Sequence, residues 1–142
     1  MRIAAGAAVL AWLTVLSWCD FRKRRLPNAL TLPGAGLILA VAAGAGHGLP
    51  ALAGAVALTG LYLAVHLALP AAMGAGDVKL AIGLGALGGC CGVQAWFLAA
   101  LAAPLLTALF GLAVLPRGVR SVPHGPSMCL ATAWAAGPAL LG

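Results

Sequence analysis

Asp20 and Asp77 are the only acidic side chains in the sequence, which contains no glutamate. Two carboxylates held close together support one well-defined chemistry. Like charges a few ångströms apart resist double ionisation, so such a pair keeps one shared proton. The ionised member takes a proton from water, and that water attacks a peptide carbonyl. The protonated member donates to the carbonyl oxygen and then assists the leaving amine. This is aspartic proteolysis, and it requires no metal and no organic cofactor. His47, His66 and His124 are scattered, and Cys19, Cys90, Cys91 and Cys129 form no C-x-x-C pair, so no metal-site spacing is present. The cysteines read as small apolar packing residues. Quieter roles stay open for the acids as well: Asp20 neutralised by neighbouring bases, Asp77 as a helix cap.

Whether the two acids can meet depends on the elements that carry them. The chain is 63% hydrophobic and 7% charged, with a mean hydropathy of +1.10. Soluble domains carry about 25% charged residues, so an ordinary hydrated surface is excluded. The expected fold is a single domain over residues 1–142, an all-α integral membrane protein built as a bundle of about six transmembrane helices. Helices satisfy their own backbone in lipid, and the alternating pattern of a membrane barrel is missing. Apolar runs place the spans at Ile3–Trp18, Ala29–Ala45, Ala51–Leu69, Val78–Cys90, Val93–Leu115 and about Ser127 to Leu141. Pro104 predicts a kink in the fifth. The "LSWC" ending of the first run is not expected to be cleaved, because Trp18 is too large to precede a cleavage site.

The basic residues orient this bundle. With six spans, Arg22, Lys23, Arg24, Arg25, Lys79, Arg117 and Arg120 all fall in loops on one side, and only Arg2 lies on the other. The positive-inside rule then puts those loops in the cytoplasm and both termini outside. The net charge of +6 is read as contact with anionic lipid headgroups rather than with nucleic acid, for which no basic face with interleaved aromatics exists. One consequence concerns the acids. Asp20 ends the first helix and Asp77 begins the fourth, so they lie 57 residues apart in sequence but at a common depth.

Gly-Ala-Gly occurs three times, at 34–36, 44–46 and 74–76, and an acid follows only the third. The first two triplets read as small-residue packing on the second helix. In the third, Gly74 and Gly76 lack side chains, which lets a peptide backbone approach Asp77. If Asp77 caps the fourth helix, the exposed amides and the dipole favour its charged form and make it the ionised partner. Gly83, Gly85, Gly88 and Gly89 along that helix are expected to serve close packing rather than mobility.

At these residues the chain resembles a known family. "GAGDVKL" is similar to the G-x-G-D-x-K motif of the type IV prepilin peptidases. "DFRKRRLPNALTL" is similar to their first-aspartate segment, an acid followed by basic residues and then by a P-N-x-[LI]-T run. "VPHGPSM" resembles the late x-P-x-G-P segment that precedes the last helix. The resemblance implies an aspartyl endopeptidase of the inner membrane that removes the leader from prepilins or pseudopilins at the cytoplasmic face, commonly after a glycine. It implies Asp20 and Asp77 as the catalytic pair. Gly74, Gly76, Lys79, Pro27, Asn28, Thr31, Gly125 and Pro126 become motif or substrate-binding positions. For Pro27, Asn28 and Thr31 a simple turn and helix start competes with that role. Lys79 is expected to neutralise charge or to touch headgroups. Larger members carry a methyltransferase region and paired C-x-x-C zinc ligands that this sequence lacks. The likeness is therefore to the short, peptidase-only members that serve tight-adherence (Flp) pili. His124 and Ser127 are more polar than expected in the late segment.

The implied partners are prepilin substrates and the bilayer, with a second copy of the chain left open. Two readings of other classes compete with the peptidase: an inactive membrane component of a pilus or secretion assembly, and a small transporter subunit that uses the acids to carry protons.

Overall fold

The structure, a computed structural model, describes residues 2–71, 73–119 and 122–142. Arg120 and the side chain of Arg2, both part of the charge count above, lie outside the described residues. Six α-helices and no strand are present among the described residues: α1 Arg2–Lys23, α2 Asn28–Gly44, α3 Gly48–Ala68, α4 Ala75–Cys91, α5 Val93–Val114 and α6 Gly125–Leu141. A 3-10 turn, Leu115–Arg117, closes α5.

Three helices are long and apolar enough to cross a membrane: Ile3–Lys23, Gly48–Ala68, and Val93–Arg117 with its turn. α2 is a shorter apolar helix. α4 has 17 residues, about 26 Å at 1.5 Å per residue, which falls short of the ~30 Å hydrocarbon core. α4 is the axis of the bundle, packed against α2, α3, α5 and α6, and residues 83–88 are buried without interruption.

The interior is rich in Ala and Gly, whereas Leu37, Leu101, Leu105, Leu109 and Phe97 on the outer faces are exposed. Small residues at helix contacts and large apolar ones outside are the pattern of a lipid-solvated bundle. The α3–α4 seam is the closest approach. A methyl group added at Gly85 would stand 2.5 Å from the Gly54 carbonyl oxygen, and Gly54 and Gly89 likewise face partner backbone. The glycines of α4 at this seam are therefore packing positions. Among the earlier triplets, Gly34 lies under the Trp12 indole, whose Nε1–H donates to the Leu30 carbonyl at 2.9 Å. The triplet at 44–46 departs from expectation: Gly44 and Gly46 have open space around them, and Gly46 takes φ +80° in the turn after α2. It ends a helix rather than packing one.

The helices follow the apolar runs, and α1 and α2 extend into polar residues at the end that carries the basic connection between them. α1 continues past Trp18 through Asp20 to Lys23. It stops where Arg24, at φ +49°, turns left-handed and donates its amide to the Asp20 carbonyl at 2.8 Å. α6 begins at Gly125, two residues earlier than expected, because Pro126 fits a first helical turn. α5 is continuous through Pro104.

Candidate active site

The C-terminal ends of α1 and α3 and the N-terminal ends of α2, α4 and α6 converge at one end of the bundle. On α1, Leu13, Leu16 and Asp20 are the buried stripe at 3%, 0% and 6% exposure. The helix that buries the leucines thus also turns the acid inward. Asp20 Oδ2 accepts the backbone N–H of Gly125, the first residue of α6, at 3.0 Å. A Cβ at Gly125 would collide with that carboxylate, so only glycine lets the amide approach.

Asp77 occupies the third position of α4, after the N-cap Gly74. It does not cap the helix itself. Instead its backbone N–H donates to the Gly74 carbonyl at 3.1 Å, in the first turn of the helix. Asp77 precedes the apolar run of α4. Asp77 thus lies inside the first turn of α4 rather than at the cap position from which its charged form was expected to be favoured.

Both acids line one cavity of about 620 Å3, open at the end of the bundle. Its walls include Lys23, Arg24, Arg25, Pro27, Asn28, Gly74, Gly76 and Lys79. Seven of the ten sequence-derived positions therefore share one space. Thr31 lies a layer behind, 1% exposed, with its hydroxyl donating to the Pro27 carbonyl at 3.0 Å. Pro27 and Thr31 thus form the start of α2, and Pro27 and Asn28 also face the cavity. Gly125 acts through Asp20, and Pro126 belongs to the first turn of α6 rather than to the wall. Lys79 Nζ donates to Asn28 Oδ1 at 3.1 Å and ties α4 to α2. Neither motif glycine is required by local packing. Gly74 has an extended backbone that any residue adopts, and a Cβ at Gly74 or Gly76 would meet neighbours no closer than 3.5 Å.

Other polar residues at this end were not legible in the sequence. His124 bridges three helices: Nε2 meets Tyr62 Oη at 3.1 Å and Nδ1 meets Thr107 Oγ1 at 2.5 Å. Burial lowers its pKa, which suits a neutral ring between two hydroxyls. His66, in the last turn of α3, meets the Met73 carbonyl oxygen at 2.6 Å. Only the placing of lone histidines near helix ends hinted at either contact. Among the described residues no group of three or more His, Cys, Asp or Glu could hold a metal ion.

Fold and site define a helical membrane bundle with a polar cavity at one end, walled by cations around two carboxylates. The model of the type IV leader peptidase family matches residues 7–112, and the chain belongs to that family. No curated protein and no solved structure matches the chain. Membership implies that the molecule is a peptidase.

Proposed function

We propose that the chain is an aspartic leader peptidase of the inner membrane, cutting prepilins or pseudopilins at the cytoplasmic face through Asp20 and Asp77. The observation that carries this reading is the shared cavity: the only two acids of the chain come from distant segments and line one opening. In this reading all six helices cross the membrane, both termini lie outside, and the cavity opens to the cytoplasm. The exposed Trp18 and Phe21, with Arg22 5.2 Å from the Trp18 ring, suit the interfacial belt at that end.

Asp20, whose Oδ2 accepts the Gly125 amide, serves as the ionised base that takes a proton from water. Asp77 carries the proton that the pair shares and donates it to the carbonyl oxygen; as the tetrahedral intermediate collapses, Asp20 passes the proton taken from water to the departing amine and the diol hydroxyl returns a proton to Asp77. Gly74 and Gly76, free of packing duty, leave room for the substrate backbone.

The test is co-expression with a candidate prepilin, followed by intact mass. Loss of the leader with the wild type, and its retention with Asp77→Asn, is expected. Cleavage that persists with Asp77→Asn contradicts the mechanism. A leader retained even by the wild type favours the inactive pilus component or the proton-coupled transporter.

A further inference from the structure

His124 is the N-cap of α6, yet its side chain makes no cap bond. The ring turns instead toward two other helices. Thr107 on α5 donates its hydroxyl hydrogen to the Ala103 carbonyl at 3.0 Å. Its oxygen is left to accept from His124 Nδ1–H, 2.5 Å away. With the hydrogen on Nδ1, Nε2 accepts the O–H of Tyr62 on α3 at 3.1 Å. The backbone that follows is held as well. The His124 carbonyl accepts the Met128 N–H at 3.0 Å, in the first turn of α6. The first N–H groups of a helix have no partner within it, and that of Gly125, in the same peptide, donates to Asp20 Oδ2 at 3.0 Å. The peptide plane is rigid, so α6 sets the direction of this N–H. The His124 side chain sets where the start of α6 stands.

We propose that His124 is a positioning residue for Asp20, acting through the Gly125 amide. Anchors on two separate helices hold the start of α6 in one place. Gly125 leaves no slack at the other end, because a Cβ there would collide with the Asp20 carboxylate. Without the histidine the start of α6 is free to drift, and the carboxylate loses the donor that orients it. Of Tyr62, Thr107, His124, Gly125 and Asp20, only Asp20 lines the cavity that holds both acids. The other wall residues are left in place, so the loss falls on the chemical step rather than on binding.

This inference rests on the reading of Asp20 as the catalytic base, and the two fail separately. The probe is a synthetic peptide with a short basic leader, a glycine and an apolar helix, cleaved in detergent by purified full-length enzyme. If Asp20→Asn still cleaves, the proposed function fails. The positioning claim has a readout of its own that does not require cleavage. This is the amide magnetic-resonance signal of Gly125 in enzyme isotope-labelled only at glycine, assigned by its loss in Gly125→Ala. His124→Leu is expected to move that signal upfield, as the amide loses its carboxylate acceptor. It is also expected to lower kcat about tenfold, as for one lost orienting hydrogen bond, with KM within about twofold of wild type. In the Gly125→Ala background, adding His124→Leu is expected to lower kcat no further, because both act on one hydrogen bond. A histidine that only braces the bundle would lower the melting temperature and leave kcat and the Gly125 signal of the folded enzyme unchanged. That result overturns the proposal, as do additive losses or a lower kcat with an unmoved signal. If His124→Leu does not accumulate, Tyr62→Phe decides, since it removes only the hydroxyl that holds Nε2. A shifted Gly125 signal with a lower kcat supports the proposal, and a wild-type signal or a wild-type kcat overturns it.

Discussion

At the scale of single residues, the site depends on a backbone amide as much as on two carboxylates. Gly125 gives Asp20 its amide, and a side chain there collides with the acid. Gly125→Ala is expected to lower cleavage about 10- to 100-fold, as for a lost hydrogen bond to a charged group, while the helical circular dichroism of the purified protein is unchanged. The acids and the glycines around Asp77 were legible in the sequence because composition isolates them. The partner of Asp20 was not: nothing within α1 says which distant helix start will face position 20.

At the scale of elements, α4 explains how a short helix serves the bundle. Glycines let α3 approach its backbone, and this approach brings the end of α3, with Tyr62 and His66, beside the start of α4. Gly85→Ala should therefore destabilise the protein by about 1–3 kcal/mol, the usual cost of overpacking, seen as a lower melting temperature in detergent. Gly60 on α3 has open space around it, so Gly60→Ala should leave the melting temperature unchanged or raise it. The six apolar runs were legible, and each corresponds to a helix. The ends were less so, because hydropathy stops where polar residues begin, whereas a helix stops where its backbone hydrogen bonding ends. α1 shows the difference: it runs on through Asp20 to Lys23, and the added turn is the one that carries the acid.

At the scale of the whole molecule, alternating helix directions gather the basic connections, both acids and the segments that resemble the peptidase motifs at one end. If that end is cytoplasmic, alkaline phosphatase fused after Gly142 should be active, and a fluorescent protein fused there should stay dark. The reverse result would invert the topology and place the cavity on the wrong side for leader cleavage. The central claim is that Asp20 and Asp77 act as one unit. Its most direct test is the single-turnover cleavage rate of a prepilin-type peptide by wild type, Asp20→Asn, Asp77→Asn and the double variant. Each single variant should fall to the background rate, and the double should be no slower than either, because residues that act as a unit are not additive. A single variant that retains cleavage within about tenfold of wild type, the worth of one ordinary hydrogen bond, would contradict the two-aspartate site.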